Sequence, residues 1–229
     1  MSKTQAGEKA NLHRVAIVDD HTLMREGVQL FIESLPGFTC IWTAGSAREA
    51  VGKLEQTPPD LLVVDISLPD RNGLELVKDV VAMKADLPIL VLSMHDEKLY
   101  ALRALRAGAK GYVMKNASHQ VLEASLRRVA SGGIGVSPAV SEMVIGAYSS
   151  GGKVRPEEGL HSLSDREFEV FQLIGEGQST NQIAESLRIS PKTVDVHRMN
   201  IRMKLNLEDG AALTRWAIRW TESRRHDRE

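Results

Sequence analysis

Hydrophobic and polar positions divide the chain into two parts with different patterns. Up to about residue 131, short β-branched runs alternate with longer segments whose apolar residues recur every three or four positions. This alternation is typical of repeated β-α units and of a parallel sheet with helices on both faces. The predicted strands lie at 14–18, 38–42, 61–64, 89–92 and 111–114, and the predicted helices at 22–34, 46–56, 73–84, 97–107 and 118–131.

Four of the predicted strands end directly at a polar side chain. The first is followed by Asp19 and Asp20, the third by Asp65, the fourth by Ser93 and the fifth by Lys115. Because ligands of an open parallel sheet bind outside the carboxyl ends of its strands, we expect these groups to meet in one crevice. Neighbouring carboxylates need a cation, and oxygen ligands without His or Cys favour Mg²⁺. The pattern therefore predicts a magnesium and phosphoryl site.

Asp65 is the candidate nucleophile of this site. A carboxylate can accept a phosphoryl group as an acyl phosphate. Lys115 supplies positive charge and Ser93 a hydrogen bond for the phosphoryl oxygens. A single Asp after a strand is more often a turn residue or a helix cap. The functional interpretation depends on the concurrence of polar groups at the ends of separate strands.

Composition changes between residues 131 and 160, where glycines accumulate and apolar periodicity fades. This is typical of a linker, and one short helix is predicted inside it at about 138–148. The rest of the chain has helical periodicity. Ser164 and Ser179 begin capping-box patterns, and Pro191 begins a third helix that runs to about residue 205. The second and third helices, joined by a tight turn, form a helix-turn-helix candidate, and a fourth helix follows.

Length and composition exclude several classes of protein. A chain of 229 residues suits two domains. No apolar stretch approaches ~20 residues and the N-terminus is polar, so we predict a cytoplasmic protein without a membrane span or secretory signal. The single Cys40 excludes an internal disulfide and is predicted to be a small buried residue. The net charge of -1 gives no general affinity for polyanions, but the third C-terminal helix and its approach carry five basic residues against one acid, Asp195.

Four segments, VAIVDDH, LLVVDISLPDRNG, ILVLSMHD and GAKGYVMK, resemble the receiver domain of bacterial two-component response regulators, in order across residues 11–131. The resemblance implies a doubly wound, flavodoxin-like α/β fold with a five-stranded parallel sheet of order 2-1-3-4-5. It implies that a histidine kinase phosphorylates Asp65. It further implies that Mg²⁺ is held by Asp19, Asp20, Asp65 and the backbone carbonyl of Ser67.

The same resemblance assigns a switch to the site. Ser93 and Tyr112 resemble the hydroxyl and aromatic switch pair, and Lys115 resembles the invariant lysine. Phosphorylation adds negative charge, so Ser93 is expected to move toward the phosphoryl group and Tyr112 to fill the space it leaves. The alternative for Tyr112 is a core residue with its hydroxyl at the surface. Ser67 and His95 are expected to flank the path of the hydrolytic water.

The segments LSDREFEV, GQSTNQIAESL and ISPKTVDVHRMNIRMKL resemble the LuxR-type DNA-binding domain, across residues 161–223. With the receiver, the chain resembles a NarL/FixJ-family response regulator. The resemblance implies an all-α, four-helix domain after a linker at 132–160, double-stranded DNA as ligand, and a homodimer when active. RNA polymerase is a further candidate partner. The receiver is expected to support only its own phosphorylation and dephosphorylation, not catalysis on a separate substrate.

The third C-terminal helix is predicted to enter the major groove. Val194 and Ile201 lie on its apolar face, so the opposite face is available to DNA. Lys192 and Arg198 are the first choices for DNA contacts. The complete predicted set, in which the last two contact phosphates, is Thr180, Asn181, Lys192, Thr193, Asp195, Val196, Arg198, Met199, Arg202 and Lys204.

The chain departs from the LuxR-type pattern in two places, one of them a pair of residues. Many relatives have Asn-Lys at the positions of Thr180 and Asn181, and many have a basic residue at Asp195. Both changes remove positive charge from the expected interface. Asp195 can instead accept a hydrogen bond from a cytosine amino group or orient a neighbouring basic side chain.

Trp216 and Trp220 are four residues apart on the fourth helix and have two open interpretations. They pack in the core of the domain, or they form a dimer interface, the role of this helix in the family. Two other classes also stay open for the whole protein. One is an aspartyl-phosphate phosphatase or phosphotransferase, and the other is a DNA-binding protein that acts independently of phosphorylation.

Overall fold

The computed structural model describes residues 12–149 and 158–226. The chain divides into two compact units, Met1–Ile145 and Gly146–Glu229. Among the described residues, all strands belong to the first unit and the second unit is helical. No helix within these described ranges is long and apolar enough to cross a membrane.

The first unit contains an open five-stranded parallel sheet with helices between successive strands, as the alternation predicts. Its order is β2-β1-β3-β4-β5, which confirms the predicted order. The strands are β1 (His13–Val18), β2 (Phe38–Ala44), β3 (Leu61–Val64), β4 (Ile89–Ser93) and β5 (Gly111–Met114). The helices are α1 (Thr22–Ser34), α2 (Ala47–Gln56), α3 (Gly73–Met83), α4 (Glu97–Ala107) and α5 (His119–Ala130).

The strand register brings the polar ends of the strands to one level. Asp65 donates its backbone N–H to the carbonyl oxygen of Val18 at 2.8 Å, and Lys115 donates to that of Ser93 at 2.8 Å. These bonds continue the parallel ladders by one residue beyond the strands. The polar residues after β1, β3 and β5 therefore leave the sheet at the same edge.

The core of the first unit lies around the two central strands. Every residue of β3 and β4 is buried, as predicted for strands covered on both faces. On one face, Ile32 of α1 and Leu126 of α5 pack with Val63 of β3 in one cluster. Cys40 is half-buried against that cluster, less than predicted, because β2 is an edge strand. Burial raises the pKa of the Cys40 thiol to about 11.

The segment after α5 pairs with β5 instead of leaving the sheet. Gly135 accepts a hydrogen bond from the backbone N–H of Tyr112 at 2.9 Å and donates to the carbonyl oxygen of Lys110 at 2.8 Å. Next along the chain, the Ser137 hydroxyl donates to a carboxylate oxygen of Glu97 in α4 at 3.0 Å. We call residues 133–137 the edge segment. The edge segment thus bonds both the backbone of β5 and the first residue of α4.

The short helix predicted in the linker is present as α6 (Pro138–Ser149). Val140, in its first turn, is fully buried, and the first compact unit extends to Ile145. Part of the segment predicted as linker, 132–160, therefore packs within the first unit. Composition does not reveal this packing, because glycine marks the close approach of another backbone as well as a linker.

The second unit has five helices among the described residues, one more than predicted. They are α7 (Glu158–His161), α8 (Asp165–Gly175), α9 (Thr180–Ser186), α10 (Pro191–Lys204) and α11 (Gly210–His226). The additional helix is the short α7. The two capping boxes, at Ser164 and Ser179, are both formed as predicted.

Helix α8 is the centre of the second unit, with α9, α10 and α11 packed around it. Phe171 and Ile174 on α8 are buried against these helices. Gly175 lets α11 approach closely, because an added Cβ would lie 2.7 Å from the carbonyl oxygen of Ala217. The packing fixes α10 with one face toward α8 and the other exposed.

Candidate functional site

Lys115 lies between two carboxylates at the edge of the sheet. Its Nζ is 2.8 Å from Oδ2 of Asp19 and 2.8 Å from Oδ2 of Asp65. All three side chains are almost fully buried, with 2% of the Lys115 side chain exposed. The predicted meeting of charged groups from the ends of β1, β3 and β5 is therefore present.

The same edge groups four potential ligands of a cation. One ligand atom from each of Asp19, Asp20, His21 and Asp65 lies within 4.8 Å of the others. Three are carboxylates, which suit a hard divalent cation. Oδ1 of Asp65 is buried without a hydrogen bond of ordinary geometry, so it has capacity for a further positive partner. The residues present thus fit the predicted Mg²⁺.

His21 was missed as a member of this group. Its side chain is 68% exposed and its Nδ1 is 2.8 Å from Oδ1 of Asp20. Its backbone N–H also donates to Oδ1 of Asp19 at 2.9 Å, which fixes the turn from β1 into α1. Its position directly after the two acids was the available signal in the sequence.

Burial and charge shift the pKa values of the central pair. Burial raises the pKa of Asp65, and the neighbouring charge of Asp19 adds to this, although Lys115 opposes it. Burial works to lower the pKa of Lys115, but attraction to Asp65 and hydrogen bonds with both carboxylates outweigh it, so that pKa is raised. One ammonium thus incompletely compensates the buried carboxylates. The site favours additional positive charge.

Ser93 and Tyr112 lie beside this pair and are both buried. The Ser93 hydroxyl accepts a hydrogen bond from the backbone N–H of His95 at 3.3 Å. The Tyr112 hydroxyl donates to the carbonyl oxygen of His95 at 2.7 Å, and burial raises the pKa of Tyr112. The two predicted switch residues are therefore linked through the backbone of one residue in the loop after β4.

Ser67 and His95 contact each other across two loops. Ser67 Oγ is 3.2 Å from Nε2 of His95, and the imidazole stacks on Tyr100 with ring centroids 4.4 Å apart. Burial, with a contribution from the charge of Lys115, lowers the pKa of His95 to about 4. A neutral imidazole therefore bridges the loops that follow β3 and β4.

Asp70 holds the loop after β3 in place and was not predicted. Its carboxylate accepts hydrogen bonds from the backbone N–H groups of Ala47 at 3.0 Å and Arg48 at 2.9 Å, at the N-terminus of α2. The loop then turns back so tightly at Gly73 that an added Cβ would overlap the carbonyl oxygen of Asp65. The position of Ser67 is thereby fixed from both sides.

In the second unit, α10 has one buried and one exposed face. Val194 and Ile201 are fully buried, as predicted. Lys192, Thr193, Asp195, Val196 and Met199 of the predicted DNA contacts are exposed, while Arg202 is half-buried. At the start of α9, Asn181 is exposed and Thr180 half-buried. These residues stay predictions as DNA contacts.

Two of the predicted basic contacts instead touch other side chains of the second unit. The guanidinium of Arg198 lies 3.5 Å from the hydroxyl of Thr214 in α11. The ammonium of Lys204 lies 2.6 Å from Oε2 of Glu167, whose side chain is nearly buried. Burial works to raise the pKa of Glu167, but its hydrogen bonds with Lys204 and Ser164 outweigh this, and the pKa is lowered. Both basic groups thus have partners within the second unit, although 40% of the Lys204 side chain remains exposed.

Both tryptophans of α11 pack on the phenylalanines of α8. The ring centroids of Trp216 and Trp220 are 5.3 Å and 5.4 Å from that of Phe171, and Trp220 also contacts Phe168 at 5.8 Å. Both side chains are half-buried. Core packing accounts for these contacts, and the dimer interface stays a prediction.

Two protein families match the two units. Residues 15–127 match the response regulator receiver domain, and residues 161–217 match the bacterial regulatory proteins of the luxR family. Transcriptional regulatory protein DegU of Brevibacillus brevis is 35% identical over 212 residues, which cover 87% of this chain and 90% of DegU. Response regulator UvrY of Escherichia coli K12 is 33% identical over 205 residues, covering 90% and 93%.

Solved structures of response regulators also resemble this chain. A LuxR-family two-component response regulator from Aurantimonas sp. has a TM-score of 0.56 and 31% identity, covering 60% of this chain and 99% of that chain. RcsB from Salmonella enterica serovar Typhimurium, bound to promoter rprA in the presence of phosphomimetic BeF3-, has a TM-score of 0.61 and 26% identity, covering 90% and 98%.

The fold and the acidic edge define a receiver joined to a LuxR-type helix-turn-helix domain, which is the architecture of a response regulator that acts in transcription. With its relatives DegU and UvrY, the chain belongs to the NarL/FixJ family of two-component response regulators.

Proposed function

We propose that a histidine kinase phosphorylates Asp65 and that this modification controls dimerisation and sequence-specific DNA binding by the second unit. The observation that carries the proposal is the arrangement of Asp65, with Oδ2 bonded to Lys115 and Oδ1 buried without a hydrogen bond of ordinary geometry. A carboxylate oxygen attacks phosphorus and the P–N bond of the phosphohistidine breaks, leaving its electron pair on nitrogen. An acyl phosphate forms on Asp65.

Mg²⁺ is the proposed cation of this site. Asp19, Asp20, Asp65 and the backbone carbonyl of Ser67 would hold it, and the grouping of carboxylate oxygens within 4.8 Å supports this. When bound, the ion supplies positive charge that offsets the repulsion between these carboxylates and the phosphoryl oxygens. Lys115, paired with Asp19 and Asp65, would supply further positive charge.

Ser93 and Tyr112 are the proposed switch. The phosphoryl oxygens are charged acceptors to which the Ser93 hydroxyl can donate, whereas the bond that it accepts from the backbone N–H of His95 is long, at 3.3 Å. Its movement weakens the packing around His95 and frees the Tyr112 hydroxyl to change partner. Because Tyr112 also bonds the edge segment through its backbone, the change reaches residues that lead into α6. Such a pair is a two-state element biased by local charge.

The second unit is proposed to bind double-stranded DNA with α10 in the major groove. RcsB, a relative of similar architecture, was solved bound to promoter rprA, which supports this proposal. The proposed domains are the receiver at 11–131, a linker at 132–160 and the DNA-binding domain at 161–223. A homodimer through the helix of Trp216 and Trp220, a contact with RNA polymerase and a cytoplasmic location complete the proposal. The protein acts on no separate substrate.

The direct test of the modification uses the full chain and a small phosphodonor. We expect phosphoramidate with Mg²⁺ to add one phosphoryl group to the wild type, detected by intact-protein mass spectrometry, and chelation of Mg²⁺ to prevent it. Asp65→Asn should gain none, because an amide does not form the acyl phosphate. Asp86→Asn, at an exposed position between α3 and β4, serves as a matched substitution and should still be modified. Modification of Asp65→Asn to the wild-type extent would refute the assignment.

A further inference from the structure

The exposed face of α10 carries a stripe of large apolar side chains. Val196, Met199 and Met203 are 45%, 48% and 60% exposed. Their spacing of three and four residues places them in one row along the helix, opposite the buried Val194 and Ile201. We call Val196, Met199 and Met203 the apolar stripe. It lies at the centre of the face that the proposed function directs at DNA.

Between Val196 and Met203 this row carries no basic side chain. Arg198 contacts Thr214 and Lys204 contacts Glu167, so both basic groups have partners on other helices of the second unit, and 40% of the Lys204 side chain stays exposed. Lys192 is exposed at the beginning of the helix and Arg202 is half-buried. From Val196 to Met203 the exposed row therefore carries no basic side chain, and Lys192 precedes it on the same row, where it can contact a phosphate or a flanking base.

We infer that the apolar stripe recognises the C5-methyl groups of thymines in the major groove. This inference rests on the proposed function and names the base chemistry that it reads. Thymine alone presents a methyl group in that groove, and apolar side chains are its natural contacts. Methionine is unbranched and flexible, so Met199 and Met203 can adjust to methyl groups on successive base pairs. The surrounding positive charge favours DNA over an uncharged partner.

Base substitution on the DNA tests this directly. The phosphorylated full chain first selects binding sites from a randomised duplex library. Each thymine of the selected duplex is then replaced singly by deoxyuridine, which removes one methyl group and keeps the Watson–Crick hydrogen bonds. We expect at least two replacements to lower affinity, each by about fourfold, the effect of withdrawing one buried methyl from apolar contact. Unchanged affinity at every position would overturn the inference.

Variants of the stripe assign the contact to the protein. Met199→Ala should weaken binding to the thymine duplex, and at one position its affinities for the thymine and deoxyuridine duplexes should become equal. Met83 of α3 has the same exposure, 48%, and Met83→Ala is the matched control, expected to bind both duplexes as the wild type does. Each variant is compared by its loss of affinity when thymine is replaced by deoxyuridine. If Met199→Ala, Val196→Ala and Met203→Ala all show the same loss as the wild type, the inference is overturned.

Three further outcomes distinguish a failure of thymine recognition from a failure of the proposed function. Sequence-specific binding that ignores the methyl groups would leave the proposed function standing and overturn the inference alone. Selection of no preferred sequence would overturn both. If substitutions in the stripe change the sedimentation of the free protein instead of its methyl sensitivity, the stripe is a surface between copies of this chain, and thymine recognition is refuted.

Discussion

Lys115 dominates the electrostatics of the site at the carboxyl ends of the strands, because its ammonium contacts two buried carboxylates at 2.8 Å each. Its pairing explains how Asp19 and Asp65 remain close together inside the folded unit. A buried charge that loses its partner is costly, more so than the net contribution of the pair suggests. The same residue therefore has a structural role before it has any role toward a phosphoryl group.

Lys115→Met should destabilise the first unit by about 3–5 kcal/mol in the presence of a chelator, because both carboxylates lose their cation. Added Mg²⁺ should restore part of this stability by supplying positive charge to the same oxygens. Urea unfolding, followed by circular dichroism with chelator and with Mg²⁺, measures both effects. Lys110→Met, at an exposed position before β5, is the matched control and should change little. Equal stability of Lys115→Met and wild type in chelator would contradict this account.

The titration of Glu167 gives a second residue-scale expectation. Its pKa is lowered in the folded unit, so at acidic pH the unfolded chain binds more protons than the folded one. The ionised Glu167 therefore stabilises the folded second unit fully at pH values well above 4.5, its ordinary pKa. This contribution is lost as the pH falls through the lower pKa that Glu167 has in the folded unit. Thermal unfolding of a Trp42→Phe chain, whose remaining tryptophans lie in the second unit, should show this loss. Adding Glu167→Gln should flatten that part of the pH profile; an unaltered profile would refute the assignment.

At the scale of elements, helix packing in the second unit depends on the absence of a side chain at Gly175. An added Cβ would overlap the Thr221 hydroxyl and approach the backbone of Ala217 to 2.7 Å. Because a backbone atom cannot move aside as a side chain does, α11 must shift away from α8. The aromatic contacts of Trp216 and Trp220 with α8 then loosen.

Gly175→Ala should therefore destabilise the second unit by about 1–3 kcal/mol, although alanine favours helix more than glycine does. Gly210→Ala is the matched control, because nothing lies within 4 Å of a Cβ added there. It should be neutral or slightly stabilising. Urea unfolding of both variants in the Trp42→Phe chain gives the comparison. Similar unfolding midpoints for the two variants would show that the approach of α11 is not limiting.

The elements themselves were predictable because their signals are local. Capping boxes, strand periodicity and the polar residues after each strand all lie within a few positions of the structure they specify. Contacts between elements that are distant in the sequence were not predictable. Asp70 pairs with amides more than twenty residues earlier in the chain, Lys204 pairs with Glu167, and Gly135 pairs along β5. Each partner is selected by tertiary packing, and a carboxylate, lysine or glycine in the sequence does not identify it.

At the scale of the whole molecule, the two units have different chemistry and one proposed connection. The first holds the carboxylates that suit a cation and a phosphoryl group, and the second presents a helix face that suits DNA. The proposed phosphorylation of Asp65 would add charge at one edge of the sheet, and the edge segment bonds the strand that carries Tyr112. The control of DNA binding by this charge is the central claim.

The most direct measurement of that claim is the affinity of the full chain for its selected duplex, with and without phosphoramidate, at constant salt and Mg²⁺. Salt must be held constant because it strongly affects protein–DNA affinity. We expect treatment to tighten binding by the wild type about tenfold or more, in the range of coupling of 1–3 kcal/mol. Asp65→Asn should bind equally with and without treatment. Equal affinity of treated and untreated wild type, or tightening in Asp65→Asn, would contradict the account.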